Sequence, residues 1–123
     1  MRTKLLFIVT AVSEAGTGLA LLVSPALLAA ILIGAPLDTL VDSVVGRVAG
    51  AAFLTVGLAC WLARNDKQSR AATGLIVAML LYNVATLLVL AFAGLGWGLL
   101  GVGLWPTVVL HALMAVWCLA CLR

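Results

Sequence analysis

The chain has 123 residues, of which 66% are hydrophobic and only 9% charged, and its mean hydropathy of +1.31 excludes an ordinary water-soluble domain. The formal net charge is +3, but every basic residue except Arg47 falls at the end of an apolar run. That placement excludes a nucleic-acid-binding reading and turns the charges into topology signals.

The first apolar run, about residues 5–24, is long enough to cross a bilayer, which takes about 20 residues. Its opening "MRTKLLFIVTAVS" has the basic start and short apolar core of a signal peptide. The apolar stretch continues more than a turn past any cleavage point, so a retained span is expected. At 100° per residue, Thr10, Ser13, Glu14, Thr17 and Ser24 fall on one polar stripe about 100° wide. Pro25 disfavours continuation of the helix. The segment after it, ending at Gly34 and Pro36, predicts a short interfacial helix; the alternative is a longer, kinked first helix, since bilayer helices tolerate proline.

Asp38 stands where the N-cap of a second span belongs. This span, about 40–63, places Ser43, Gly46, Arg47, Gly50, Leu54 and Gly57 on one face. Gly46 and Gly50 have the spacing that lets helix backbones approach closely, so this face is expected to meet protein. The polar loop "RNDKQSR" (64–70) leads to a third span at about 71–93, on which Met79, Tyr82, Asn83 and Thr86 cluster. "GLGWGLLGVGLWP" reads as a glycine-rich turn whose tryptophans suit a membrane interface. A fourth span follows at about 99–122, where Thr107, His111, Met114 and Cys118 line up and Pro106 opens the backbone near the outer end.

Long, continuous Leu- and Ala-rich runs exclude a barrel, which shows alternating segments of about 10 residues. The fold class is therefore all-α: an integral membrane four-helix bundle, up-down-up-down, forming one domain over residues 1–123. Arg2, Lys4, Arg64, Lys67, Arg70 and Arg123 all fall on one side, with Asp38 and Asp42 on the other. Both termini are accordingly expected to be cytoplasmic.

Helical rise puts Glu14 about 14 Å, His111 about 18 Å, Asn83 about 19 Å and Arg47 about 25 Å from the cytoplasmic ends. An unpaired ion at a helix centre costs about 2.5 to 3.5 kcal/mol on insertion scales, so Glu14 and Arg47 should be paired or wet. Two readings stand. Glu14 and Arg47 form a buried ion pair that fixes helix register, with Asn83 as interhelical glue; or Glu14, Arg47, Asn83 and His111, supported by Tyr82 and Thr17, line a ligand cavity. Direct pairing is expected, although the helical-rise offset of about 11 Å between the two backbones strains it.

The "CLAC" pair, Cys118 and Cys121, and Cys60 lie toward the reducing side and read as structural thiols. Met79, His111, Met114 and Cys118 are soft donors of the kind Cu(I) takes, but no Met or Cys ladder extends them, and a single His makes a poor haem site. No metal, cofactor or catalytic nucleophile–base pair is expected, and an enzyme is the less favoured class.

"SEAGTGLALLVSP" with "GRVAGAAFLTVGLA" resembles the DoxX-like group of small four-helix bacterial membrane proteins. The resemblance covers two of the four helices, and here the Glu-bearing segment precedes the Arg-bearing one, the reverse of the usual order in that group. It implies a bacterial inner-membrane protein, sometimes linked to redox or quinone metabolism. The chain is also similar to small multidrug resistance transporters in length, in helix number and in a membrane-embedded Glu near the position of Glu14, where the family exchanges protons for cationic drugs. Arg47 speaks against that second resemblance, because it would neutralise the Glu and repel cations.

The expected function is binding of a small amphipathic or lipid-derived molecule at the midplane, or service as an accessory subunit of a membrane assembly; proton-coupled transport through Glu14 is the alternative. The expected partners are the bilayer, such a ligand, and a second copy or a larger membrane complex, with no nucleic acid.

Overall fold

The computed structural model describes residues 1–35, 37–66 and 69–123, and over them it is helical, without strands. Pro36, expected to close the short helix, and Lys67, counted among the inside charges, lie outside the described residues. Five helices follow in order: α1 (Arg2–Val23), α2 (Pro25–Ile33), α3 (Leu40–Ala63), α4 (Arg70–Gly96) and α5 (Leu104–Leu122). All but α2 are long and apolar enough to cross a membrane.

Local chemistry sets the boundaries. Ser24, which precedes a proline, leaves the helical region at φ −145°, ψ 77° while its N–H still closes on Ala20 O at 2.8 Å. Pro25 then opens α2 at a first-turn position, where its missing N–H costs nothing. The short second helix is thus a separate element and not a kinked extension of α1. It stops at Gly34, whose φ of +73° suits glycine.

The cap of α3 falls one residue later than Asp38. Thr39 Oγ1 accepts from Asp42 N at 3.1 Å, and Asp42 Oδ2 accepts from Thr39 N at 3.3 Å, a reciprocal capping box that Asp38 could not close. Ser69 caps α4, accepting from Ala72 N at 3.1 Å.

The largest boundary correction is at α5, which starts at Leu104 and not at 99, while α4 runs on to Gly96 instead of ending at 93. Gly98, at φ +69°, lies just past the end of α4. The following stretch does not resume a helix because it packs on α2: Gly103 N–H donates to Ile31 O at 2.8 Å, and a Cβ on Gly101 would overlap the Leu32 carbonyl. Pro106 consequently sits in the first turn of α5, where no intrahelical bond needs its N–H, and it opens nothing.

α1 and α3 pack antiparallel at backbone distance. A Cβ on Gly18 would come within 2.6 Å of Gly50 O, one on Gly50 within 2.7 Å of Gly18 O, and one on Gly57 within 3.0 Å of Ala11 O. The glycine face expected on α3 is therefore real, and its partner is the equivalent small face of α1. α4 and α5 form the second antiparallel pair, and α2 touches α1, α3 and α5.

Two apolar clusters hold the bundle. One gathers Leu6, Phe7, Cys60, Ile76, Met79 and Cys118 at the end that carries both termini. The other joins Leu90, Leu104 and Val108 to Leu32 and Ile33 at the opposite end. The outside is equally apolar: Val12, Leu58, Leu81, Leu88, Leu113 and Val116 are all more than half exposed. Only a hydrocarbon solvent makes such a surface stable. The molecule is a multi-pass membrane protein.

Candidate functional site

Between the two apolar clusters lies a cavity of about 350 Å³. α1 contributes Thr10, Ser13, Glu14 and Thr17, the polar stripe read from the sequence without Ser24, which instead ends α1. α4 contributes Tyr82, Asn83, Thr86 and Leu90, α5 contributes Thr107, Leu110, His111 and Met114, α3 contributes Phe53, and α2 closes over it with Leu28 and Leu32.

Arg47 is not among these residues. Its guanidinium is spent near the C-terminal end of α1, with Nε donating to Leu22 O at 3.1 Å and Nη1 to Ser43 Oγ at 2.6 Å, and the side chain is exposed. The ion pair expected with Glu14 is therefore not formed. The glycine contacts explain why: with Gly18 against Gly50 and Ala11 and Ala15 against Gly57, Arg47 stands level with Leu22. That is about two helical turns, or about 12 Å, beyond Glu14.

The remaining candidates do converge. Tyr82 Oη–H donates to Glu14 Oε2 at 3.3 Å. Asn83 Nδ2–H donates back to Met79 O at 2.7 Å, which fixes the amide so that its Oδ1 faces His111 Nδ1, also at 2.7 Å. Oδ1 can only accept, so Nδ1 carries the proton and, in a neutral imidazole, Nε2 is left as an acceptor. The Tyr82 ring is held edge-on by His111 at 5.5 Å and by Phe53 at 5.9 Å between centroids.

Several polar atoms of the lining are left over, the acceptors Glu14 Oε1 and His111 Nε2 and the hydroxyls of Thr10, Thr17 and Thr107 among them. Glu14 Oε1 and His111 Nε2 make no hydrogen bond among the described residues. Thr10 is 2% exposed, and its Oγ1 is buried without a partner. Glu14 itself is 8% exposed and, among the described residues, has Tyr82 as its one hydrogen-bond partner and no basic partner. An ionised carboxylate held this way in a bilayer is costly without a compensating group.

The cysteines lie elsewhere. Cys60 and Cys118 are buried and free, Cys121 is partly exposed and free, and Cys60 Sγ–H points to Met79 Sδ at 3.6 Å. Among the described residues no three His, Cys, Asp or Glu side chains gather as metal ligands.

Phe53, Leu28, Leu32, Leu90 and Leu110 complete the site without having been singled out in the sequence. Phe53 could have been found by pairing Gly18 with Gly50, the register that replaces Arg47 with Phe53 at the level of Glu14. Comparison with protein-family models, curated proteins and solved structures returns no match.

Asn83 is the residue on which the His111 geometry depends. Replacing Asn83 with Leu should lower stability by about 1 to 3 kcal/mol, since the His111 Nδ1–H is left buried and unpaired. Adding His111→Phe should recover most of the loss, because both partners are then apolar. Thermal unfolding in detergent reads both steps.

Proposed function

We propose that the cavity binds a small amphipathic molecule drawn from the bilayer. The observation that carries this reading is that polar groups from α1, α4 and α5 turn toward a shared cavity and leave Glu14 Oε1, His111 Nε2 and Thr10 Oγ1 unsatisfied. A pocket of this size with a few convergent polar groups and apolar walls is a ligand site by form. The polar atoms belong with the head of the occupant, and Leu28, Leu32, Leu90 and Leu110 with its tail. Because Glu14 Oε1 and His111 Nε2 accept and the one ion is a carboxylate, the best-matched head donates hydrogen bonds and carries positive charge.

Access is one-sided. Leu6, Phe7, Cys60, Met79 and Cys118, all at most 2% exposed, close the end that carries the termini, so an occupant enters laterally or past α2. A neutral-detergent preparation should bind dodecylamine about tenfold or more tightly than dodecanol or dodecanoate of equal chain length, read as a shift in thermal unfolding. Equal binding of the three would remove the role given to Glu14.

Proton-coupled transport through Glu14 is the second reading, and one observation favours it: Arg47 does not reach the carboxylate, so the objection that it neutralises Glu14 and repels cations no longer applies. In that case the amine should drive proton exchange across proteoliposomes, whereas a binding protein gives none. Arg2, Lys4, Arg64, Arg70 and Arg123 lie at the ends of helices that meet at one end of the bundle, which supports cytoplasmic termini; the bacterial inner membrane rests on the DoxX-like resemblance alone. Tags at either terminus and in the 64–70 loop should report the same, cytoplasmic side; a periplasmic C-terminus would reverse this topology. The DoxX-like resemblance and a place in a larger membrane assembly belong to the same proposal.

A further inference from the structure

We propose a second binding site, on the outer face of the α1–α3 pair: a groove that seats one acyl chain of an anionic phospholipid whose phosphate is held by Arg64 and Lys4. The groove has a volume of about 510 Å³ and lies on the opposite side of α1 from the polar cavity. Its floor is Ala11, Ala15 and Gly57, where the two backbones touch, and its walls are Val12, Leu58 and Trp61. The one hydroxyl along it, Thr55 Oγ1, already donates to Ala52 O at 2.7 Å. The groove therefore offers nothing for a polar occupant to bond, and hydrocarbon fits it.

The basic end supplies the head. Arg64 lies over the Trp61 ring, 4.1 Å from its centroid, at the mouth of the groove. It spends one nitrogen on the Trp61 carbonyl and keeps further donors from its fork of five for a phosphate. Asp66, the carboxylate nearest in sequence, is taken by Ser69. Lys4 is exposed and falls on the same helical stripe as Ala11 and Ala15. The register that sets Gly18 against Gly50 brings it level with Arg64. Tryptophan and basic side chains at the end of an apolar span stand at headgroup depth.

A second copy of the chain would suit the groove less well. Related by an axis along the membrane normal, it would bring another Lys4 and Arg64 to the same level, like charge against like charge. An anionic phosphate reverses the sign of that interaction.

The test uses the full chain in neutral maltoside detergent with phosphatidylglycerol or phosphatidylcholine of identical acyl chains, read by native mass spectrometry. One phosphatidylglycerol should stay bound under conditions that strip phosphatidylcholine. Lys4→Gln with Arg64→Gln should cut that retention about tenfold, and Val12→Trp, which fills the groove from an exposed wall, should abolish it without lowering the melting temperature. Glu14→Gln should leave it unchanged, which separates this site from the cavity. Equal retention of the two lipids by the unmodified chain would overturn the proposal, as would an unchanged preference in the Lys4 and Arg64 variant. A dimer that Val12→Trp dissociates would give the groove to a second copy instead.

Discussion

Gly50→Leu should unfold the bundle more effectively than any other single change on α3. A side chain there meets backbone and not movable side-chain ends: Gly18 O at 2.7 Å, Leu22 N at 3.0 Å, and the Leu21 Cβ at 2.8 Å. Overpacking in a tight interior costs about 1 to 3 kcal/mol when neighbours can shift. Here α1 would have to move bodily away from α3, so a loss of about 3 kcal/mol or more is expected. Gly16→Leu is the matched control, because nothing lies within 4 Å of a Cβ at that position and leucine is the better helix former. Its melting temperature should be unchanged or higher. Circular dichroism in detergent distinguishes the two, and equal melting of both variants would mean that α3 packs by another face.

Glu14→Gln should have the largest effect on binding. The substitution keeps the shape of the side chain and an acceptor for Tyr82 while removing the charge that a cationic head would balance. Losing one partner of a desolvated charge pair costs about 2 to 5 kcal/mol in binding, so dodecylamine affinity should fall at least about 30-fold. The fold should survive, because the hydrogen bond is the one tie Glu14 makes to another helix. Arg47→Gln should leave affinity within about twofold, since Arg47 contacts Leu22 and Ser43 and not the cavity. Titration of each variant by thermal shift compares them directly.

Much of this architecture was legible in the sequence. Continuous apolar runs define the four spans, and the stripe from Thr10 to Thr17 is the wall of the cavity, because helical periodicity survives in any solvent. Tyr82, Asn83 and His111 were found for the same reason: polar side chains inside a span have to face protein. The error was Arg47. Opposite charges on neighbouring helices invited pairing despite the offset of about 11 Å that helical rise already gave, and the glycine contacts of α1 and α3 keep that offset, about two turns, instead of closing it. The glycine-rich turn was legible, but the span was begun inside it at 99, because only the contacts of Gly101 and Gly103 with α2 show that the helix waits until Leu104. The roof over the cavity, Leu28 and Leu32, was invisible for a related reason. α2 is apolar all round, so no face of it could be singled out before its tertiary contacts were known.

The central claim, that Glu14 belongs to a cavity shared with Tyr82 and not to an ion pair with Arg47, is tested most directly by two double-mutant cycles in one detergent. Glu14→Leu is combined with Tyr82→Phe in the first and with Arg47→Gln in the second, and coupling is read from unfolding free energies. A hydrogen bond to a charged group should give a Glu14–Tyr82 coupling of about 1.5 kcal/mol or more, while the Glu14–Arg47 coupling should stay within about 0.5 kcal/mol of zero, as for sites that share no partner. A coupling of several kcal/mol to Arg47 with none to Tyr82 would contradict the account and restore the ion pair.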